Sequence, residues 1–317
     1  MTANKKVMFI DKTDPVLWEA LEMQGYQCED YTGSDRDKVM KDLPGFLGLI
    51  VRSRMKLDRE LLSRATTLKF IGRSGVGLEH IDLEYAAERD ILVLPSPEGS
   101  RDTVGEHTIG LLLCLMNHLA RADRQVRRGE WIRAGNRATE LKGKTVGIIG
   151  YGNMGTAFAQ RLKGFDVQVM AYDKFKTGYG DENAAAVDLP TLQAEADVVS
   201  LHIPFLPENH YFVNDAFLES FAKPIFLVNT ARGLVLETEA LVRKLKSGKV
   251  LGAALDVIEY EEMSFVHLDP KKQPAAFQFL LQSDSVILSP HIAGWSHESE
   301  RGHALALVEK IAKVAVE

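Results

Sequence analysis

Several things are scarce in this sequence, and each scarcity excludes a class of protein. Cys28 and Cys114 are the only cysteines among 317 residues, too few for a disulfide framework. Cys114 lies inside the apolar run LLLCLM, where a thiol serves as a small buried hydrophobe. No apolar stretch reaches the roughly 18 residues of a membrane span. The opening MTANKKVMFID has no apolar core of a secretory signal, so a cytoplasmic location is expected. Excess positive charge is also missing: 38 Lys and Arg against 44 Asp and Glu leave a formal net charge of -6. Neither nucleic acid nor an anionic membrane is attracted overall, and an anionic ligand has to be captured locally. His80, His210, His267, His297 and His303 show no metal-ligand grouping, so no metal is expected.

What is present is alternation. Short β-rich runs at residues 6–11, 48–53, 68–74 and 91–96 are separated by helical patterns near Pro15 to Gln24, Asp35 to Lys41, Asp58 to Arg64 and Leu83 to Arg89. At Thr103 the segment TVGE has capping-box spacing and is expected to open one long buried helix, IGLLLCLMNHLARA. His107 and His118 on it read as ordinary core or surface histidines. The arginine-rich RADRQVRRGEWIRAGNR that follows is too polar for core; it is a solvated helix face or, given Trp131, an intersubunit arm. From Gly143 onward six strand candidates follow: TVGIIG, DVQVMAYD, ADVVSLHI, PIFLVNTA, VLGAALDV and SVILSPHI. Strands alternating with helices at this length imply α/β architecture, with two doubly wound parallel-sheet domains.

The stretch Thr145 to Gly155, TVGIIGYGNMG, runs an apolar strand into Gly150, Gly152 and Gly155. A glycine turn opening a helix lets backbone amides approach a pyrophosphate, with the helix N-terminus adding positive charge beneath it. Asn153 and Met154 are then first-turn residues. Eighteen residues past Gly155, the next apolar run ends in Asp173, near the offset of about 20 residues expected of a ribose-binding acid. A dinucleotide is the expected ligand. Asp173 would repel a 2′-phosphate, which favours NAD over NADP, although Lys174 and Lys176 pull the other way.

Ligands in open parallel sheets sit outside the carboxyl ends of the strands. In the second half those ends carry the glycine turn, Asp173, His202 with Pro204, Asn229 to Arg232, Asp256 and His291. The first half repeats the pattern with Asp11, Arg52 and Ser53, Arg73 and Ser74, and the glycines of SGVG. Two such rims, facing each other, would make a cleft.

These residues resemble the D-isomer-specific 2-hydroxyacid dehydrogenase family over nearly the whole chain. The matching motifs, in the family's order, are LKFIGRSGVGLEHID at 68–82, GYGNMG with Asp173, LHIP at 201–204, VNTARG at 228–233, LDV at 255–257 and SPHIAGWS at 289–296. The resemblance implies a discontinuous, flavodoxin-like substrate domain of residues 1–101 and 293–317 around an inserted NAD-binding Rossmann domain of 102–292. It implies that Arg232 binds the substrate carboxylate and polarises the C2 oxygen, and that His291 exchanges the C2 hydroxyl proton. Glu261 would hold the imidazole of His291. The family usually reads Glu-Pro there, whereas this chain reads EYEEM; Glu261 lies five residues past Asp256 and 29 past Arg232, and Glu259 and Glu262 stay open. By the same resemblance, backbone amides of Ser74, Gly75, Val76 and Gly77 would hold the carboxylate. Thr230, Ala231, His202 and Pro204 would line the cofactor, and Asp256 would bond the nicotinamide carboxamide. A homodimer is implied as well.

Arg52, Arg73 and Arg133 fall where 3-phosphoglycerate dehydrogenases carry phosphate-binding arginines. The expected substrate is therefore 3-phosphoglycerate, in a short form without the regulatory domain of some longer relatives. Ser100 and Asp102 depart from the usual substrate loop. Glyoxylate or hydroxypyruvate reduction and D-lactate oxidation come next. An NAD-sensing module like the corepressors that resemble these dehydrogenases remains the alternative of another class.

Overall fold

The computed structural model describes residues 5–261 and 273–314. Glu262 and His267 lie outside them. The chain divides into two compact units, Met1–Arg101 with Trp295–Glu317, and Asp102–Gly294.

In the first unit the strands β1 (Lys6–Phe9), β2 (Gln27–Asp30), β3 (Gly48–Val51), β4 (Phe70–Arg73) and β5 (Leu92–Pro95) form one parallel sheet in the order β2-β1-β3-β4-β5. Side-chain alternation splits its core. Met8 and Ile10 join Val39, Leu61, Leu62 and Ala86 from the helices α2 (Arg36–Asp42), α3 (Arg59–Ser63) and α4 (Leu83–Glu88) on one face. Val7 and Phe9 join Leu17 and Leu21 of α1 (Pro15–Met23) and Ala304, Leu307 and Ile311 of the terminal helix on the other. Asp14, Asp35, Asp58 and Asp82 each accept a first-turn amide and so start α1 to α4. Strand β2, QCED, was not among the sequence-derived strands. It is a polar edge strand, with Cys28 its one buried residue, and periodicity does not reveal such strands.

The second unit opens with helix α5, which runs Arg101–Met116. Thr103 is therefore inside the helix and not at its N-cap, contrary to the capping-box reading. Nor is the long helix continuous. Asn117 turns its side-chain amide onto the Leu113 carbonyl, His118 adopts a left-handed backbone (φ 55), and α6 (Leu119–Arg127) starts afresh. Among the described residues the sheet has seven parallel strands, ordered β12-β11-β10-β9-β6-β7-β8. They are β6 (Thr145–Ile149), β7 (Gln168–Tyr172), β8 (Ala185–Ala186), β9 (Val198–Leu201), β10 (Ile225–Asn229), β11 (Val250–Leu255) and β12 (Val286–Leu288). The two-residue β8 is the addition to the six expected. One face of the sheet packs on α5 and α7 (Asn153–Arg161). The other packs on α8 (Leu189–Glu195), α9 (Asp215–Glu219), α10 (Thr238–Ser247) and α11 (Ala275–Gln282). Two doubly wound parallel sheets are thus present, as the alternation implied. The terminal helix α12 (His297–Ile311) begins at Ser296, whose hydroxyl accepts the Ser299 amide.

Burial in the first unit has a measurable cost at low pH. His80 is 6% exposed, and burial, with the charge of Arg73 second, pushes its imidazole down to about 4. Between that value and the unfolded value near 6.5, the unfolded chain binds a proton that the folded chain refuses, so stability falls as pH falls. From pH 7 to pH 5 this group should remove about 2 kcal/mol of unfolding free energy. Urea titrations at the two pH values should show the loss, and His80→Gln should shrink it by a comparable amount; an unchanged pH difference in the variant would contradict this origin.

Candidate functional site

The second unit's site begins from the register of its sheet. Tyr172 pairs with Ile149, Ile149 with Leu201, Leu201 with Asn229, Asn229 with Leu255, and Leu255 with Leu288, one row across six strands. The next residue on each strand is respectively Asp173, Gly150, His202, Thr230, Asp256 and Ser289. Neighbouring strands lie about 4.8 Å apart, so side chains leaving adjacent row positions start within reach of each other. Strand order reverses between β6 and β9, and that is where the glycine turn and His202 leave the sheet, the usual crevice for a ligand in such sheets.

The glycine turn fits a dinucleotide on its own geometry. Gly150 has φ +91 and a Cβ there would meet the His202 carbonyl at 2.7 Å; a Cβ on Gly155 would strike the Gly150 carbonyl at 2.1 Å. Both are needed for close packing of turn, strand and helix. Gly152, by contrast, faces open space, and it leads α7 with no side-chain cap on the first-turn amides, which include those of Asn153 and Met154. Open space before uncapped helix amides suits an anionic pyrophosphate. Asp173 is tied to the same turn: Oδ2 accepts the Tyr151 amide at 2.9 Å and Oδ1 the Phe175 amide at 3.0 Å. Lys176 donates to the Tyr151 carbonyl, while Lys174 lies over the Phe175 ring.

His202 packs against the Phe158 ring and shares a 2.8 Å hydrogen bond between Nε2 and the Ser200 hydroxyl. Burial pushes its imidazole down to about 3, and its buried Nδ1 has no protein partner. Such an orphaned polar atom is a position for a bound group to satisfy. Pro204 is exposed, with its carbonyl accepting the Asn209 amide group. Thr230 pairs with Thr108 at 3.1 Å, and Thr108 already donates to the Val104 carbonyl. Thr230 must then be the donor to Thr108, which leaves it only acceptor capacity toward a ligand.

Three loops carry the chemistry and are linked by backbone bonds. The Asp256 amide donates to Asn229, and the His291 amide to Asp256. Buried Asn229 holds the Ala231 amide and the Arg232 carbonyl with its side chain. A Cβ on Gly233 would strike the Ile258 carbonyl at 2.0 Å, so this glycine lets the Arg232 loop lie against the loop leading to Glu261. His291 Nδ1 lies 3.0 Å from Glu261 Oε2. Glu259 instead accepts the Thr238 amide at the start of α10, which removes it as the histidine's partner. His291 adopts a left-handed backbone (φ 55), a strained state costing about 1–3 kcal/mol and held only where its surroundings demand it.

Those surroundings are Asp256, 1% exposed. Its carboxylate accepts from the Ser289 hydroxyl and from the amides of Ile292 and Ala293, with His107 Nε2 at 3.4 Å. Burial alone would raise this carboxyl; the bonds from His107, Ser289, Ile292 and Ala293 outweigh it and hold it below the ordinary range. The reading of His107 as an ordinary histidine did not include these contacts with Asp256 and Ser289. Their only signal was distant in sequence, Ser289 in SPHIAG, whose hydroxyl His107 meets at 3.2 Å.

The first unit's rim is altered in detail. The Ser74 amide donates to the Val51 carbonyl, and the Gly75 amide to the Ser96 hydroxyl. These two amides thus donate within the protein, whereas no such bond is made by the amides of Val76 and Gly77 among the described residues. Ser74 and Gly75 are buried, whereas Val76 is exposed. Arg73 folds onto its own turn, donating to the Ser74 and Gly77 carbonyls. Arg52 pairs with Glu300 at 3.2 Å, and its amide donates to Asp11; Ser53 is half-buried beside it. Arg133 is exposed on the segment after α6, where Trp131 is 79% exposed.

Residues 109–293 match the model of the NAD-binding domain of D-isomer-specific 2-hydroxyacid dehydrogenases. A hydroxypyruvate reductase of Thermotoga maritima is 37% identical over 279 residues, 88% of each chain. The chain belongs to this family. A D-3-phosphoglycerate dehydrogenase of Archaeoglobus fulgidus is 34% identical across 95% of the chain, which spans 56% of that longer protein. Among solved structures, the dehydrogenase fold matches a D-lactate dehydrogenase from Aquifex aeolicus, complexed with NAD and lactic acid, with TM-score 0.80, 29% identity, and coverage of 97% and 94% of the two chains. For this chain the placement of Asp173 gives a direct test of cofactor choice. NADH should bind about tenfold or more tightly than NADPH, a difference of about 1.4 kcal/mol or more. Fluorescence titration measures both constants, and equal affinities would remove the argument from Asp173.

Proposed function

We propose that the chain interconverts a small 2-oxo acid and its D-2-hydroxy acid, using Arg232, Glu261 and His291. The observation that carries this reading is the 3.0 Å pair between His291 and Glu261, set at the carboxyl end of the same sheet as the glycine turn. A carboxylate only accepts, so Nδ1 carries the hydrogen and Nε2 is the nitrogen through which the neutral ring takes a proton. Oxidation of a hydroxy acid needs a base for the hydroxyl proton while hydride departs, and reduction needs that proton returned. One histidine does both. Glu261 stabilises the imidazolium formed in between. Arg232, a fork that stays charged, binds the carboxylate and polarises the C2 oxygen. In the first unit the Val76 and Gly77 amides serve the substrate's anionic end. Gly150 to Gly155, Asp173, Thr230, Ala231 and Asp256 hold the dinucleotide, and Asp256 keeps one oxygen, Oδ2, that accepts only the Ala293 amide and can take a carboxamide N–H. A bound nicotinamide supplies the hydride.

Within that class we place unphosphorylated acids, hydroxypyruvate or glyoxylate, ahead of 3-phosphoglycerate. Arg52 is paired with Glu300 and Arg73 is folded into its own turn, so a substrate phosphate would have to displace existing partners. The phosphorylated substrate is the second reading, supported by the 34% identity to the A. fulgidus enzyme.

Steady-state rates with NADH against hydroxypyruvate, glyoxylate, phosphohydroxypyruvate and pyruvate decide between them. The first two should give the highest kcat/KM; a clear preference for phosphohydroxypyruvate would reverse the order. His291→Ala should lower kcat by about 10²–10⁴ with NADH affinity retained, and undiminished turnover would sink the proton-transfer role. Tight NADH binding by the unaltered protein without turnover of any acid would favour an NAD-sensing module.

A further inference from the structure

The turn that presents the Val76 and Gly77 amides is held from inside the first unit by a pair the sequence reading left aside. Ser96, fully buried at the end of β5, places its hydroxyl 2.9 Å from the Gly75 amide and 2.9 Å from the Arg73 carbonyl. A carbonyl only accepts and an amide only donates, so the hydroxyl donates to Arg73 and accepts from Gly75, bracing both sides of the bend. The Ser96 amide closes the ring by donating to the Gly75 carbonyl at 2.9 Å.

His303 holds Ser96 in turn. It stands on α12, 7% exposed, with Nδ1 2.7 Å from the Ser96 carbonyl and 3.0 Å from its hydroxyl. The carbonyl requires that Nδ1 carry the hydrogen, which fixes the tautomer. Neighbouring backbone brings the helix this close: a Cβ on Gly99 would meet the His303 amide nitrogen at 2.2 Å, and one on Gly302 the Gly99 carbonyl at 2.7 Å. The bend is held as well by Arg73, whose guanidinium donates to the Ser74 and Gly77 carbonyls, and by the Ser74 amide on the Val51 carbonyl. Gly75 lies at φ +145, and a Cβ there would strike the Arg73 guanidinium.

We propose that His303 is a positioning residue for substrate, acting through Ser96 to set the Arg73–Gly77 bend so that the Val76 and Gly77 amides meet the substrate's anionic end. This rests on the 2-oxo-acid reading above, in which those amides serve the substrate. A neutral donor suits the task. Burial, with Arg73 and Arg52 adding to it against the bond from Ser96, holds the imidazole below its ordinary value. The effect belongs to binding, because the pair is part of the first unit, whereas the proton-transferring group and the glycine turn belong to the second.

The test is kinetic and uses the full chain. His303→Ala should raise the KM for the preferred 2-oxo acid about tenfold, with kcat changed less than about threefold, the pattern of lost uniform binding. The Kd for NADH, read by fluorescence without substrate, should stay within about twofold, since that site lies in the other unit. Ser96→Ala should reproduce the KM effect. His303→Asn, whose side-chain amide offers a donor near the place of Nδ1, should recover most of it. An unchanged KM in both alanine variants overturns the proposal. So does a KM in His303→Asn as weak as in His303→Ala, and so does a loss shared equally by KM, kcat and NADH affinity, which marks general destabilisation. Absence of turnover in the unaltered protein would instead defeat the 2-oxo-acid reading, so the two failures are distinguishable.

Discussion

Everything at the second unit's site depends on parallel strands ending in one row. The ladder does not stop where the strands do. The Gly150 amide donates to Tyr172, His202 to Ile149, Asp256 to Asn229 and Ser289 to Leu255, each between 2.8 and 3.0 Å. Four of the residues assigned to the site are therefore themselves the last rung of the sheet. Their backbones have the rigidity of the core, because a buried amide that loses its partner costs about 1–3 kcal/mol. Their side chains leave the sheet with directions already set. This is why a glycine turn, an acid and a histidine far apart in sequence can share a few ångströms of surface.

One buried charge then organises the far end of the row. An unpaired carboxylate at 1% exposure would be intolerable, and Asp256 avoids this by collecting a hydroxyl, two amides and an imidazole. In satisfying itself it shapes the loop after β12: the amides it takes belong to the two residues after His291, and its own carbonyl accepts the His291 amide. The left-handed backbone at His291 is sustained by those bonds on both sides. The direction in which the imidazole leaves, toward Glu261, follows from a carboxylate that never touches the ring.

What could be read from sequence was what is local. Strands rich in Val and Ile, aspartates heading helices, and glycines at the β6 turn all announce themselves within a few residues, so both sheets and most strand-end residues were legible. The misses needed knowledge of a distant partner. The β2 segment QCED is a strand because it has β1 to pair with. His107 matters because Ser289, 182 positions later, stands opposite it. Ser74 and Gly75 looked like free donors, yet Val51 and Ser96 already occupy their amides. The break at His118 is the exception: Asn117 and His118 are residue types that tolerate a left-handed bend, and the apolar run before them masked the signal.

The two units solve the same problem with the same kind of side chain. In the second, Asn229, wholly buried, donates to the Arg232 carbonyl and accepts the Ala231 amide. In the first, Ser96, wholly buried, donates to the Arg73 carbonyl and accepts the Gly75 amide. Each is a neutral group that bonds a carbonyl and an amide across a bend of two or three residues. Neutrality matters here. A charge so deeply placed would carry a desolvation cost of several kcal/mol, and its own field would act on the arginine the bend supports. A small hydroxyl or amide does neither, and in a low-dielectric interior its two bonds are worth enough to exclude alternative loop shapes. The charged residues are thereby placed by uncharged ones, and each guanidinium adds a bond to its own bend, Arg73 to the Ser74 and Gly77 carbonyls and Arg232 to the Ala231 carbonyl.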